Sequence, residues 1–199
     1  MILEGISDIH THCPGASSDA VINLDAGMEM LPGHMYSVGV HPWLSDAPDV
    51  DELWSRVQTL ARHPQVVVIG ECGIDKKRGA ATYVQMELLR RHAALAEEVG
   101  KPLLLHVVGA FPEVIGLRRQ IKPVQPWIVH GFRGKPQLAD ELLRHGFDIS
   151  LGELFNPLTP KVIPPDRLYV ETDTSSLDIA QIRSMIDKAR YINKSTFEN

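Results

Sequence analysis

The sequence predicts an α/β protein, a (β/α)8 TIM-type barrel trimmed of some of its outer helices. Three observations carry that reading. Eight apolar runs of strand length recur along the 199 residues, several separated by helical patterns, as in a parallel sheet built from crossover units. Residues able to ligate a metal follow or close several of these runs, and a parallel barrel gathers its strand C-terminal ends at one face. Only about five connections look helical, and the chain sits at the lower limit of roughly 200 residues for such barrels. An open doubly wound sheet is the alternative architecture.

In chain order, residues 2–9 form a short, mostly apolar first strand that runs into Ser7-Asp8-Ile9-His10-Thr11-His12. Pro14, Gly15 and the serines that follow make a loop. Residues 20–24 and 36–40 read as the second and third strands, and Gly27, Pro32 and Gly33 exclude a long helix between them. Residues 48–62 carry Val50, Leu53, Trp54, Val57 and Leu60 at helical spacing, with Asp49 or Asp51 at the start. The run 66–70 (VVVIG) is continuously apolar, as expected of a strand covered on both faces, and it ends at Glu71.

The clearest helix is 80–99, with Tyr83, Met86, Leu89, Ala93 and Ala96 on one stripe and Gly100 as its C-cap. Residues 102–105 form a strand before His106, 111–120 a short helix with Pro112 in its first turn, and 127–129 a strand before His130. A helix over 135–145 is stopped by Gly146, and 147–151 is a strand. The prolines in 156–165 forbid a helix there; 167–170 is the last strand and 177–192 the closing amphipathic helix. No internal repeat, low-complexity tract or linker interrupts the chain, so residues 1–199 are expected to form a single domain.

Composition narrows the function classes. A hydrophobic content of 44% with 23% charged residues is that of a soluble globular chain. No run of about 18 apolar residues and no secretory leader pattern occurs, so no membrane partner and a cytoplasmic location are expected. The formal net charge of −5 argues against a surface built to coat nucleic acid, though not against an enzyme whose metals meet the phosphate. Cys13 and Cys72 are too few for a disulfide scaffold and read as small residues packed near strand ends.

Function rests on a constellation. His10 and His12, two residues apart on a strand, point to one face and form half of a divalent-metal site. Glu71, His106, His130 and Asp173 occupy comparable places at later strand ends. Four imidazoles and two carboxylates can hold two ions, and Glu71 is the natural bridge because each carboxylate oxygen can serve one ion. Two such ions about 3.5–4 Å apart can clamp the attacking and leaving oxygens of a hydrolysis and activate water near neutral pH. His34, His63, His92 and His145 lie in a loop or on expected helices and read as surface or packing residues.

The motifs DIHTH, YSVGVHPW, VVVIGECGID, KPLLLH, VHGFRG, FDISLG and YVETD together resemble, in kind and order, those of TatD-family metal-dependent hydrolases of the amidohydrolase superfamily. The resemblance runs from Ser7 to Asp173 and implies phosphodiester hydrolysis, with deoxyribonuclease activity. It implies that His10, His12, Glu71 and Asp173 bind a first metal and that Glu71, His106 and His130 bind a second, with Asp173 and Glu71 serving catalysis. The metal is expected to be Zn, Mg, Mn or Ni, one or two per chain, and the partner nucleic acid or a small phosphodiester. Substrate contacts are expected from His41 and from Arg133, with Lys76, Lys77 and Arg78 as a possible basic rim.

Three departures stand out. Val107 and Val108 follow His106 where members carry an Arg; Thr174-Ser175-Ser176 replaces the usual proline after Asp173; and the first two loops are short where helices are usual. Two other functions therefore stay open. One is a hydrolase for a small amide, ester or lactone, and the other a metal-binding barrel without catalysis.

Overall fold

The computed structural model describes residues 3–191. Within them, eight strands run parallel and hydrogen-bond in chain order: β1 (Asp8–Thr11), β2 (Ala20–Asn23), β3 (Met35–Val38), β4 (Val66–Asp75), β5 (Leu103–Val108), β6 (Trp127–Val129), β7 (Phe147–Leu151) and β8 (Leu168–Val170). The two edges meet. Thr11 bridges Asp173, the His12 amide donates to the Asp173 carbonyl at 3.0 Å, and the Asp173 amide donates to the His10 carbonyl at 2.9 Å. The open-sheet alternative falls, because both edge strands find partners in each other.

Among the described residues, five helices cover the barrel: α1 (Val50–Leu60), α2 (Thr82–Val99), α3 (Phe111–Ile121), α4 (Pro136–Arg144) and α5 (Ile179–Tyr191). Each has a local reason. Asp51 and Glu52 complement the N-terminal dipole of α1, Pro112 and Pro136 open α3 and α4, and Gly100 ends α2 at φ +66°. The connections after β1 and β2 are loops, and that after β7 contains only short 3-10 turns, among them Pro160–Val162 and Pro165–Arg167. The outer layer is thus trimmed as expected.

Two apolar clusters build the core. Ile9, Val21, Val68, Leu104 and Ile128 fill the barrel interior below the site, while Trp127, Phe147, Leu103, Leu105 and their neighbours lie between strands and helices. Burying one such large side chain stabilises the fold by about 1.5–3 kcal/mol. Among the described residues, no helix is long and apolar enough to cross a membrane.

Some elements differ from expectation. The first strand begins at Asp8 rather than residue 2, because Leu3–Gly5 form a turn with Gly5 at φ +84°. Residue 2 and the expected end of the last helix at 192 lie outside the described residues. Strand β4 does not stop before Glu71 but continues to Asp75, so Glu71 sits inside the sheet. Tyr83 is 78% exposed instead of joining the buried stripe of α2. Gln85 is the residue that turns inward there.

Two bulges aim the mouth of the barrel. Asp8 pairs with Ala20 but Thr11 with Ile22, and Ile69 pairs with Leu103 but Cys72 with Leu105. Each leaves one extra residue on β1 and on β4, at His10 and at Gly70-Glu71. A bulge re-aims side chains, so Ile9 joins the interior cluster while the adjacent His10 still reaches Glu71. Gly73, opposite His106, admits no side chain: an added Cβ would lie 2.0 Å from the His106 carbonyl oxygen.

Candidate metal centre at the barrel mouth

Glu71 is the hub. Its Oε2 lies 3.3 Å from His10 Nε2 and 3.5 Å from His12 Nε2. Its Oε1 lies 2.7 Å from His130 Nε2, 3.0 Å from His106 Nδ1 and 3.2 Å from His41 Nε2. Asp173 Oδ1 closes the first side, 3.8 Å from both His10 Nε2 and His12 Nε2. All six expected ligands therefore converge from β1, β4, β5 and the segments after β1, β6 and β8.

His41, expected to touch substrate, faces the same Glu71 oxygen as His106 and His130 and can ligate. Arg133 is exposed and shares an open pocket of about 110 Å³ with Asp173, Glu153 and Phe155. Of the basic rim, Lys76 pairs with Glu113 and Arg78 lies over the Trp43 ring. His92 is fully buried packing. Cys72 is buried and Cys13 exposed; neither joins a metal-ligating group among the described residues.

Three acidic residues were missed as site members. Glu171 is fully buried, lies 3.3 Å from His130 Nδ1 and accepts the Gly131 amide at 2.6 Å. Its parity with Asp173 was the available signal. Asp75 lies 3.5 Å from His106 Nε2, and its place four residues beyond Glu71 on one strand was the clue. Asp8 anchors the seam, accepting from the Thr172 hydroxyl at 2.6 Å and the His10 amide at 3.2 Å.

The electrostatics are those of a site built around positive charge. Burial alone would raise the Glu71 pKa, but the His130 charge and the imidazoles of His10, His106 and His12 hold it well below the carboxylate range. Burial opposes charge on His130, yet Glu71 and Glu171 push its pKa well above that of a free imidazole. His12 is raised chiefly by Glu71. Glu171 is lowered because the His130 charge outweighs its burial.

These residues fit divalent cations. His10 Nδ1 and Nε2, His106 Nε2, His130 Nε2 and Glu171 Oε2 are buried and lack a well-formed hydrogen bond, although carboxylates stand close. Buried polar atoms are seldom left so, and ions are one remedy. Among the described residues, donor atoms within 4.8 Å of one another occur in four sets: His10, His12 and Asp173; His10, Glu71 and His130; His41, Glu71 and His106; and His130, Glu171 and Asp173. Imidazole and carboxylate donors in that mixture suit Zn, Ni, Mn or Mg.

A family model described as TatD related DNase matches residues 9–194. The chain belongs to the TatD family. The 3'-5' ssDNA/RNA exonuclease TatD of Enterobacter lignolyticus is 34% identical over 158 residues, which cover 71% of this chain and 58% of that protein. The uncharacterized metal-dependent hydrolase YabD of Bacillus subtilis is 31% identical over 180 residues, covering 83% of this chain and 69% of that one. This TatD-family chain thus spans as little as 57% of the length of the curated relatives it matches. The crystal structure of YjjV, a TatD homologue from Escherichia coli K12, superposes with a TM-score of 0.74 over 97% of this chain and 93% of its own, at 19% identity, and so shares the fold.

Proposed function

We propose that this TatD-family chain is a divalent-metal-dependent hydrolase that cleaves phosphodiester bonds of nucleic acid with activated water. One observation carries the reading: the Glu71 carboxylate divides its two oxygens between two groups of imidazoles. The exonuclease named among its relatives supports the choice of substrate class. His10, His12 and Asp173 would hold one ion with Glu71 Oε2, and His106 and His130 a second with Oε1, His41 standing beside them. Such ions supply Lewis acidity and lower the pKa of nearby water.

The protein's own groups divide the remaining work. The Glu71 side chain is 6% exposed and holds the cluster together, whereas that of Asp173 is 28% exposed and can take a proton from the attacking water. Asp173 has φ +51°, in the left-handed region that Asp tolerates better than most residues, and the seam to His10 and His12 keeps it there. Glu171 orients His130 through Nδ1, leaving Nε2 for an ion. Arg133, in the pocket beside Asp173, can meet a phosphate oxygen in place of the missing Arg after His106.

The test joins elemental analysis of the purified protein to a screen of single-stranded oligonucleotides, a chromogenic phosphodiester and lactones. Metal in the protein and oligonucleotide cleavage are expected, with substrate binding that weakens steeply with salt. Lactone turnover without phosphodiester cleavage would transfer the site to small molecules. Asp173→Asn should lose roughly 10²–10⁴-fold in rate at every pH. A parent-like rate and pH profile with metal still bound would remove Asp173 from the proton transfer.

A further inference from the structure

Beside the cluster stands an exposed aromatic ring that the metal-centred reading does not use. Trp43 is 44% exposed, whereas Trp127 is fully buried and Trp54 partly so. Its ring centroid lies 4.7 Å from that of His41 and 5.8 Å from that of His106, the imidazoles at Glu71 Oε1. An exposed indole is ordinarily free to turn. This one is fastened.

The Trp43 Nε1–H donates to Asp75 Oδ2 at 2.6 Å, and the other Asp75 oxygen accepts the Lys77 amide at 2.8 Å. The Trp43 amide donates to His41 Nδ1 at 3.2 Å. Arg78 lays its guanidinium over the indole, 4.3 Å from the ring centroid. The loop carrying Arg78 is itself pinned by the buried Gln85. That amide accepts the Asp75 N–H at 2.8 Å and donates to the carbonyls of Asp75, Arg78 and Ala80 at 3.0, 2.8 and 2.7 Å. Gly79 packs so closely on the Trp43 turn that an added Cβ would lie 2.1 Å from the Pro42 carbonyl oxygen.

A polar anchor, a cation on the ring and a rigid loop beneath it hold a π surface at the edge of a phosphate-handling site. Every nucleobase offers a π face, whatever its identity, and stacking on an aromatic is the usual sequence-tolerant contact to single strands. A rigid platform loses little entropy on binding. We infer that Trp43, with Arg78 above it, is a stacking platform for the unpaired nucleobase that flanks the reacting phosphate. The inference rests on the nuclease reading above and gives it a substrate form: single-stranded nucleic acid gripped by a base as well as by its phosphate. It also accounts for an acidic protein handling a polyanion, since part of the grip is then uncharged.

The experiment has a binding arm and a kinetic arm. In the first, a phosphorothioate octathymidylate is titrated into the metal-loaded protein and tryptophan emission is followed. The parent should be quenched, and Trp43→Leu, which keeps Trp54 and Trp127, should not. In the second, a single-stranded oligonucleotide is compared with one carrying an abasic residue beside the cleaved bond. Trp43→Leu should raise KM on the intact strand roughly 5- to 150-fold. On the abasic strand, parent and variant should match.

Trp43→Phe keeps a ring but loses the bond to Asp75, and should retain most of the affinity. Quenching that survives in Trp43→Leu, equal losses on both strands, or a Phe variant as impaired as Leu would each overturn stacking in favour of support for Asp75 and His106. An unquenched parent also overturns it. Whether that parent still cuts oligonucleotides then judges the nuclease reading separately.

Discussion

His92 and His130 are both buried imidazoles, and their surroundings make opposite demands. His92 lies between α2 and the barrel wall, accepting the Val40 amide on Nε2 at 2.9 Å and bonding the Leu88 carbonyl through Nδ1 at 2.8 Å. Both nitrogens are satisfied by neutral backbone, and burial lowers its pKa to about 4. His130 lies between the carboxylates of Glu71 and Glu171, its pKa driven well upward and its Nε2 without a well-formed hydrogen bond. Burial alone does not mark a functional histidine. Unmet donor capacity among carboxylates marks a candidate for one, because that is the environment a cation completes.

The largest test of this contrast is Glu71→Gln. The substitution preserves size and removes the charge shared by the five surrounding imidazoles. Activity should fall by roughly 10³-fold or more, comparable with the loss of a major electrostatic group, and bound metal should decrease. Circular dichroism should remain that of the parent. A near-normal rate would place Glu71 outside the chemistry and dissolve the distinction between the two regions.

A smaller effect is expected from replacing His10 and His12 together with Ala. The parent should gain about 4 kcal/mol of stability at metal concentrations near 1,000 times Kd, read as a rise in Tm, and the double variant should lose most of that gain. The sign with pH follows from the raised pKa values of His12 and His130. In the metal-free protein their charged pairs contribute fully below the free-imidazole value of 6.5, and that contribution fades as pH rises through the raised values. Metal must displace those protons, so its stabilisation should be larger at about pH 8 than at about pH 6. A pH-independent metal effect, or full metal stoichiometry in the double variant, would contradict the ligand assignment.

His92 should show the opposite sign and a smaller change. Its depressed pKa means that the unfolded chain takes up a proton first, so its contribution is complete above 6.5 and lost as pH falls toward about 4. The full span is on the order of 3 kcal/mol. His92→Gln keeps a donor and an acceptor without titrating in this range. Urea unfolding of parent and variant across the window should give curves that diverge by that amount, with activity at saturating metal unchanged. Parallel curves would show that His92 does not titrate on unfolding.

Much of the barrel was legible because its signals are local. Strands 127–129 and 147–151 match their expected ranges, and Gly100 caps α2 as its position required. The prolines beyond β7 and the Gly and Pro content after β2 foretold the missing helices. The end of β4 was not legible. Its continuation through Gly70-Glu71-Cys72-Gly73 depends on close backbone approach to β5, which no periodicity records. Tyr83 differs for a related reason: helical periodicity is local, but which turn of the helix is covered is decided by tertiary packing.

For the site, the sequence by itself determined which residues can ligate and that they close or follow apolar runs of strand length: His10, His12, Glu71, His106, His130 and Asp173. Residue chemistry and strand period are properties of short stretches. Only the tertiary structure decided that His41 turns to Glu71, that Glu171 and Asp75 stand behind His130 and His106, and that Trp43 is fastened at the rim. Those relations join residues up to 41 positions apart through two bulges and a closed seam. Barrel closure is a global constraint, and it sets which side chains meet across the mouth.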